Sequence, residues 1–136
     1  MKVGDTLYHA LAMDGSVHVI EYRVSVIRSG IAHVVRFDRS TWVKKSKRHG
    51  DYGWADNISS MDRDRVSMTE GLGASCFGVT RVSAVRKALK TTLKIKKRMR
   101  ELYPDTVDPA DYDADIKALR RCLKRLSGRT GKGRDA

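Results

Sequence analysis

At Thr80 the hydrophobic repeat of this chain changes, and the change fixes the class of fold it can adopt. In the first third of the chain apolar side chains recur every second residue, and residues 38–73 are dominated by polar residues and glycines. Downstream of Thr80, apolar side chains recur at alternating steps of three and four. A period of two is the mark of a half-buried strand, and a period near 3.6 is that of an amphipathic helix. Strands followed by helices make an α+β arrangement, with 136 residues enough for one domain or one small domain with a helical extension.

Upstream, "DTLYHALA" leads through Asp14-Gly15, a hairpin dipeptide, into "VHVIEYRVSVIR". In that segment Ile20, Tyr22, Val24 and Val26 are expected on one face, with Glu21, Arg23 and Ser25 on the other. Ser29-Gly30 then turns the chain into "IAHVVRF". Three short strands on tight turns form an antiparallel meander, which is how small barrels begin. "TWV" starts a fourth strand, "RVSM" is a short one, and "ASCFGVT" is a last strand that ends at a helix start.

Downstream, Thr80 is the expected N-cap. Val85, Ala88, Thr92, Ile95, Met99 and Leu102 form the apolar stripe, widened by Leu89 and Leu93, and Tyr103-Pro104 ends the helix. Asp108 caps a second helix with Pro109 at its first position, and Asp111, Asp113 and Asp115 suit the positive end of its dipole. Its stripe is Tyr112, Ile116, Leu119, Leu123 and Leu126, and Gly128 is the expected stop. Two such helices on a short connection pack as an antiparallel hairpin. The same stripe can serve a homodimer, and an intrachain hairpin and a dimeric bundle both satisfy the pattern.

Charge is what points to function. The formal net charge is +12, and it is uneven: residues 1–80 carry 11 basic and 9 acidic side chains, residues 81–136 carry 17 and 7. Such asymmetry calls for an anionic partner: nucleic acid, an acidic protein face or a membrane surface. Opposite the first apolar stripe lie Arg86, Lys90, Lys94, Lys97 and Arg98, flanked by Lys87, Lys96 and Arg100. Like charges at that spacing oppose each other by a few tenths of a kcal/mol per pair, and only Glu101 relieves them. Phosphates would neutralise the face, with counterion release supplying affinity. Lys117, Arg120, Arg121, Lys124 and Arg125 extend the field on the second helix. The bland alternative is a face that only keeps the protein soluble.

The stretch "WVKKSKRHGDYGW" adds Lys44, Lys45, Lys47 and Arg48 among aromatic residues. Cations between rings make a sequence-tolerant platform on which single-stranded bases stack. Trp42, beside a strand, is assigned to the core. Tyr52 and Trp54, set among glycines and aspartates, are expected to be exposed and available for stacking.

Nothing marks an enzyme. His9, His18, His33 and His49 lie in separate elements without ligand spacing, so no metal is expected. "EGLGASCFG" lacks the Gly-Lys-Ser/Thr ending of a phosphate-binding loop, "GKG" follows no strand, and Asp62 and Asp64 belong to a polar loop. Cys76 is expected to be a small buried residue. Cys76 and Cys122, 46 positions apart, form no disulfide framework. With no cofactor motif, no apolar signal stretch and no membrane-length segment, a cytoplasmic binding protein is expected.

"KVGDTLY", "IEYRVSVIRSG" and "CFGVTRVSAVRKAL" together resemble a loose group of small phage and mobile-element proteins, over roughly residues 2–90. In those proteins an SH3-like barrel enters a helix through a Phe-x-x-Thr junction and an alanine, matched here by Phe77, Thr80 and Ala84. The resemblance implies an SH3-like barrel, so residues 1–79 are read as a small antiparallel SH3-like β-barrel or meander, whose long polar loop "DRSTWVKKSKRHGDYGWADNISSMDRDR" departs from the compact barrel of that group. A basic helical hairpin follows over 80–127, then a flexible, disordered basic tail over 128–136. Small phage proteins include host-defence inhibitors such as anti-CRISPRs. Two functions follow. One is a non-enzymatic module that binds DNA or RNA through the Lys/Arg helix face. The other is a phage inhibitor or adaptor that sets the same face against an acidic or nucleic-acid-binding surface of a host protein complex.

Overall fold

The computed structural model describes residues 1–45, 51–56, 63–67, 77–106 and 108–131. Strands β1 (Thr6–Met13), β2 (Ser16–Arg28) and β3 (Ile31–Arg36) form the expected antiparallel meander. Both of its turns are built on consecutive positive φ angles, 52° and 79° at Asp14 and Gly15, 52° and 74° at Ser29 and Gly30. Those values suit the right-handed twist of a two-residue hairpin. β4 (Trp42–Lys44) pairs with β5 (Tyr52–Trp54) in a separate two-stranded sheet, while β6 (Arg63–Ser67) adds to β3. β7 (Phe77–Gly78) adds to β1, completing a curled five-stranded half-barrel in the order β6-β3-β2-β1-β7.

The two faces of the sheet carry two cores. Leu7, Val24, Ala32, Val34, Val66 and Phe77 fill the first, with Tyr22 and Ile27 packed against it. The second begins with Ala10 and its neighbours Tyr8, Ala12, Val17 and Val19, which meet the helices. The alternation predicted for β2 breaks at one residue: the register with β3 slips between Val24 and Val26, leaving Ser25 as a β-bulge. Past the bulge the faces exchange, so Ile27, and not Val26, joins Tyr22 and Val24.

Helix α1 (Arg81–Leu102) starts where the period changes. Thr80 Oγ1 accepts from the Ser83 N–H and Ser83 Oγ accepts from the Thr80 N–H, each at 3.0 Å. Such a reciprocal cap stabilises a helix by about 1 kcal/mol. Asp108 caps Ala110 and Pro109 opens a 3₁₀ turn (Pro109–Tyr112) that leads into α2 (Asp113–Gly131). α2 runs through Gly128 instead of ending there, because one glycine weakens a helix by about 1 kcal/mol without forbidding it.

Ala84, Val85 and Ala88 of α1 and Leu119 and Cys122 of α2 close the second core over β1 and β2. Val85 and Leu119 are fully buried, each worth about 2 kcal/mol in removed apolar surface. The apolar stripe of α1 is buried only in its first half, since Ile95 and Leu102 are 45% and 55% exposed. Twenty-two residues make a helix about 33 Å long, and the periodic face continues past the surface it packs on.

Candidate nucleic-acid interface

The buried face of α1 determines where its cations go. With Val85 and Ala88 turned to the sheet, residues three and four apart on the opposite side face solvent, and Arg86, Lys90, Lys94, Lys97 and Arg98 are all exposed there. Among the described residues, ion pairs form at Arg28–Asp51, Arg81–Glu21 and Lys96–Asp113. None of these involves the five. Other cations of the helix have structural contacts: Lys87 Nζ donates to the Phe77 carbonyl at 2.7 Å, and Arg81 lies 4.6 Å from the Tyr8 ring.

α2 repeats the pattern. Its buried side holds Ala118, Leu119 and Cys122, and its other side exposes Lys117, Arg120, Arg121 and Lys124. With Ile116 and Asp113 these line an open depression of about 420 Å³. Both helices pack on the same face of β1 and β2, and each holds its cationic side away from that core. The Lys96–Asp113 pair ties the end of α1 to the start of α2.

The hairpin β4–β5 is a different structure from the platform expected. Trp54 is 5% exposed, so the expectation that it offers an open ring is overturned. Its ring meets Trp42 edge-on at 5.0 Å and Phe37 edge-on at 5.1 Å, while Tyr52 stacks on Trp42 at 6.3 Å. Tyr52 and Trp42 are both half-buried, so the core assignment of Trp42 is met only in part. Lys44 and Lys45 are exposed, and Lys45 Nζ donates to the Ala55 carbonyl at 3.3 Å. Lys47 and Arg48 lie outside the described residues, as do His49, Asp62 and Cys76.

Beneath the rings is a residue that strand alternation assigned to solvent. The Arg23 guanidinium carbon lies 5.0 Å from the centre of Trp42 and 4.5 Å from that of Trp54. Ser25, also expected outside, is fully buried and donates its hydroxyl to the Tyr52 carbonyl. The period of two identified the face correctly but could not show that a second sheet covers it. An arginine in the middle of an apolar strand, in a chain that also carries a tryptophan-rich stretch, was the available signal. The base of the hairpin is fixed by Asp38, whose carboxylate accepts from the N–H and hydroxyl of Ser40. These bonds hold its pKa below the ordinary value. Ser40 Oγ in turn accepts from the Asp56 N–H at 3.1 Å.

The cluster is a structural joint with two opposing energies. Among the described residues, Arg23 Nε and Trp54 Nε1 are buried without hydrogen-bond partners, a cost of about 1–3 kcal/mol for each group. The cation–π contacts return about 2 kcal/mol when desolvated. Arg23→Met, which keeps the aliphatic stem, is therefore expected to change unfolding stability by less than about 1 kcal/mol. Arg23→Ala also removes the stem under two indoles, so a loss of about 2 kcal/mol and a red-shifted tryptophan emission are expected. Equal losses for the two variants would assign the joint to the charge.

β4–β5 docks on β2 and makes no extended contact with either helix among the described residues, so Lys44 and Lys45 do not join the helical cations. No group of three metal-ligating side chains occurs among the described residues, and no described helix is long and apolar enough to cross a membrane. His9 and His33 are half-buried strand residues, as their positions in the alternation require. Compared with protein-family models, curated proteins and solved structures, the chain finds no match.

Proposed function

We propose that this protein is a non-enzymatic nucleic-acid-binding module that holds phosphates on the outer sides of α1 and α2. The observation that carries the reading is the file Arg86, Lys90, Lys94 and Lys97, exposed and outside the ion pairs seen among the described residues. Solubility requires charge but not a file of one sign, and placing these cations together weakens the helix. A polyanion reverses that repulsion and releases its own counterions. In this reading α1 and α2 act as a basic antiparallel hairpin on an SH3-like barrel, and the barrel is the scaffold, not the contact surface.

The test is fluorescence-anisotropy titration of short labelled DNA and RNA at several salt concentrations. Binding is expected, with log affinity falling against log salt by about 0.9 for each phosphate neutralised on a duplex and about 0.7 on a single strand. Absence of binding at about 50 mM salt rejects the reading.

A second reading, the phage-type inhibitor or adaptor, is favoured by a separate observation. Ile95, Leu102 and Tyr103 are 45%, 55% and 52% exposed next to the same cations. Mixed apolar and cationic surface suits an acidic protein groove. Under that reading, a host protein stays bound after nuclease treatment of a pull-down.

A further inference from the structure

Resting on the nucleic-acid reading, we infer that the ligand is double-helical nucleic acid, gripped by its backbone phosphates and not read by sequence. Three features support this.

First, the rings that would stack on unpaired bases are engaged elsewhere. Trp42, Tyr52 and Trp54 pack on one another and on Arg23, in a hairpin that makes no extended contact with the cationic helices among the described residues. Base stacking supplies about 1–3 kcal/mol per base in single-strand binding, and the helix face offers one exposed ring, Tyr103, at its far end.

Second, the cations form two rows. Arg86 to Lys97 spans about 16 Å along α1, and Lys117 to Lys124 about 10 Å along α2. Packed helices lie about 8–10 Å apart, and long side chains extend the reach further. A groove about 6–12 Å wide brings phosphates of two strands to that separation, whereas one strand presents a single line of phosphates.

Third, the side chains that read adenine through paired hydrogen bonds are missing. Neither α1 nor α2 contains asparagine or glutamine. What remains is lysine and arginine, which follow a backbone of either duplex type and whose paired base contact is to guanine alone.

The experiment measures affinity of the full chain for a duplex of about 16 base pairs and for each of its strands, at several salt concentrations. DNA and RNA duplexes, and two unrelated sequences of each, are compared. Duplex is expected to bind at least about tenfold tighter than either strand, with the two sequences within about threefold. Replacing either row by alanine, R86A/K90A/K97A or K117A/R120A/K124A, is expected to lower the salt slope by about 3. Tyr103→Ala is expected to leave affinity within about twofold. Single strands that bind as tightly as duplex, or a tenfold loss from Tyr103→Ala, overturn the inference while leaving the nucleic-acid reading intact. A tenfold sequence preference overturns its sequence-neutral part. No binding of any nucleic acid overturns both. Because the replaced residues are surface positions, circular dichroism of each variant separates lost contacts from lost fold.

Discussion

Gly78→Ala is expected to cost about 3 kcal/mol of stability, a fall in melting temperature of about 10 °C for a domain of this size. A Cβ at this position would stand 2.5 Å from the Ala84 nitrogen and 2.9 Å from its Cα, and closer still to Ser83 Oγ. The nearest flexible atom could move, but the backbone of the first helical turn could not. Gly78 also faces Tyr8 in the β1–β7 ladder, so it cannot retreat without loosening the strand. Relief by moving the helix would disturb the Thr80–Ser83 cap and the burial of Ala84 and Val85. Ser83→Ala is therefore not expected to rescue the variant. A melt that matches the parent protein would show that strand and helix are not held this closely.

Reversing three charges, K90E/K94E/K97E, is expected to abolish nucleic-acid binding while leaving the fold intact. Each cation near an anionic surface contributes about 1 kcal/mol, and reversal turns attraction into repulsion. Affinity should fall by about a thousandfold or more, beyond the range of an ordinary titration. Stability moves the other way. Along α1 the pairs 86–90, 87–90, 94–98 and 97–100 change from like to opposite charge, while Lys97–Glu101 changes from opposite to like. At about 0.2–0.5 kcal/mol per pair the balance favours the variant. A more stable protein that has lost its ligand is the expected signature of a charged file kept for binding. Unchanged affinity would remove α1 from the interface.

Local chemistry explains which parts of this fold were legible. Asp14-Gly15 and Ser29-Gly30 announced their turns because positive φ at two successive residues suits few other pairs. Thr80 announced a cap because a hydroxyl before an apolar 3.6-residue period has one common use. The cationic file was legible for the same reason, since its spacing alone places it on one side of a helix. What escaped was decided by partners distant in sequence. Trp54 is buried because it meets Phe37 and Arg23, and no property of "DYGW" reveals that. The bulge at Ser25 reassigned the faces of β2 with no glycine or proline to mark it. Ile95 and Leu102 kept the helical period yet remained exposed, because periodicity states which side is apolar and not how far the opposing surface extends.

The two residues of β7 also govern the order in which the molecule can assemble. Each meander hairpin closes a loop of a few residues and can form within microseconds. Pairing Tyr8 with Gly78 and His9 with Phe77 joins positions about seventy residues apart, and that closure must meet its entropy cost before it gains any contact. β1 therefore waits, one edge open, until most of the chain has been made. The same event seats the N-terminus of α1 against Ala10, so sheet closure and helix docking form a single late step. Until then the unpaired edge of β1 is a place where two nascent chains can pair with each other.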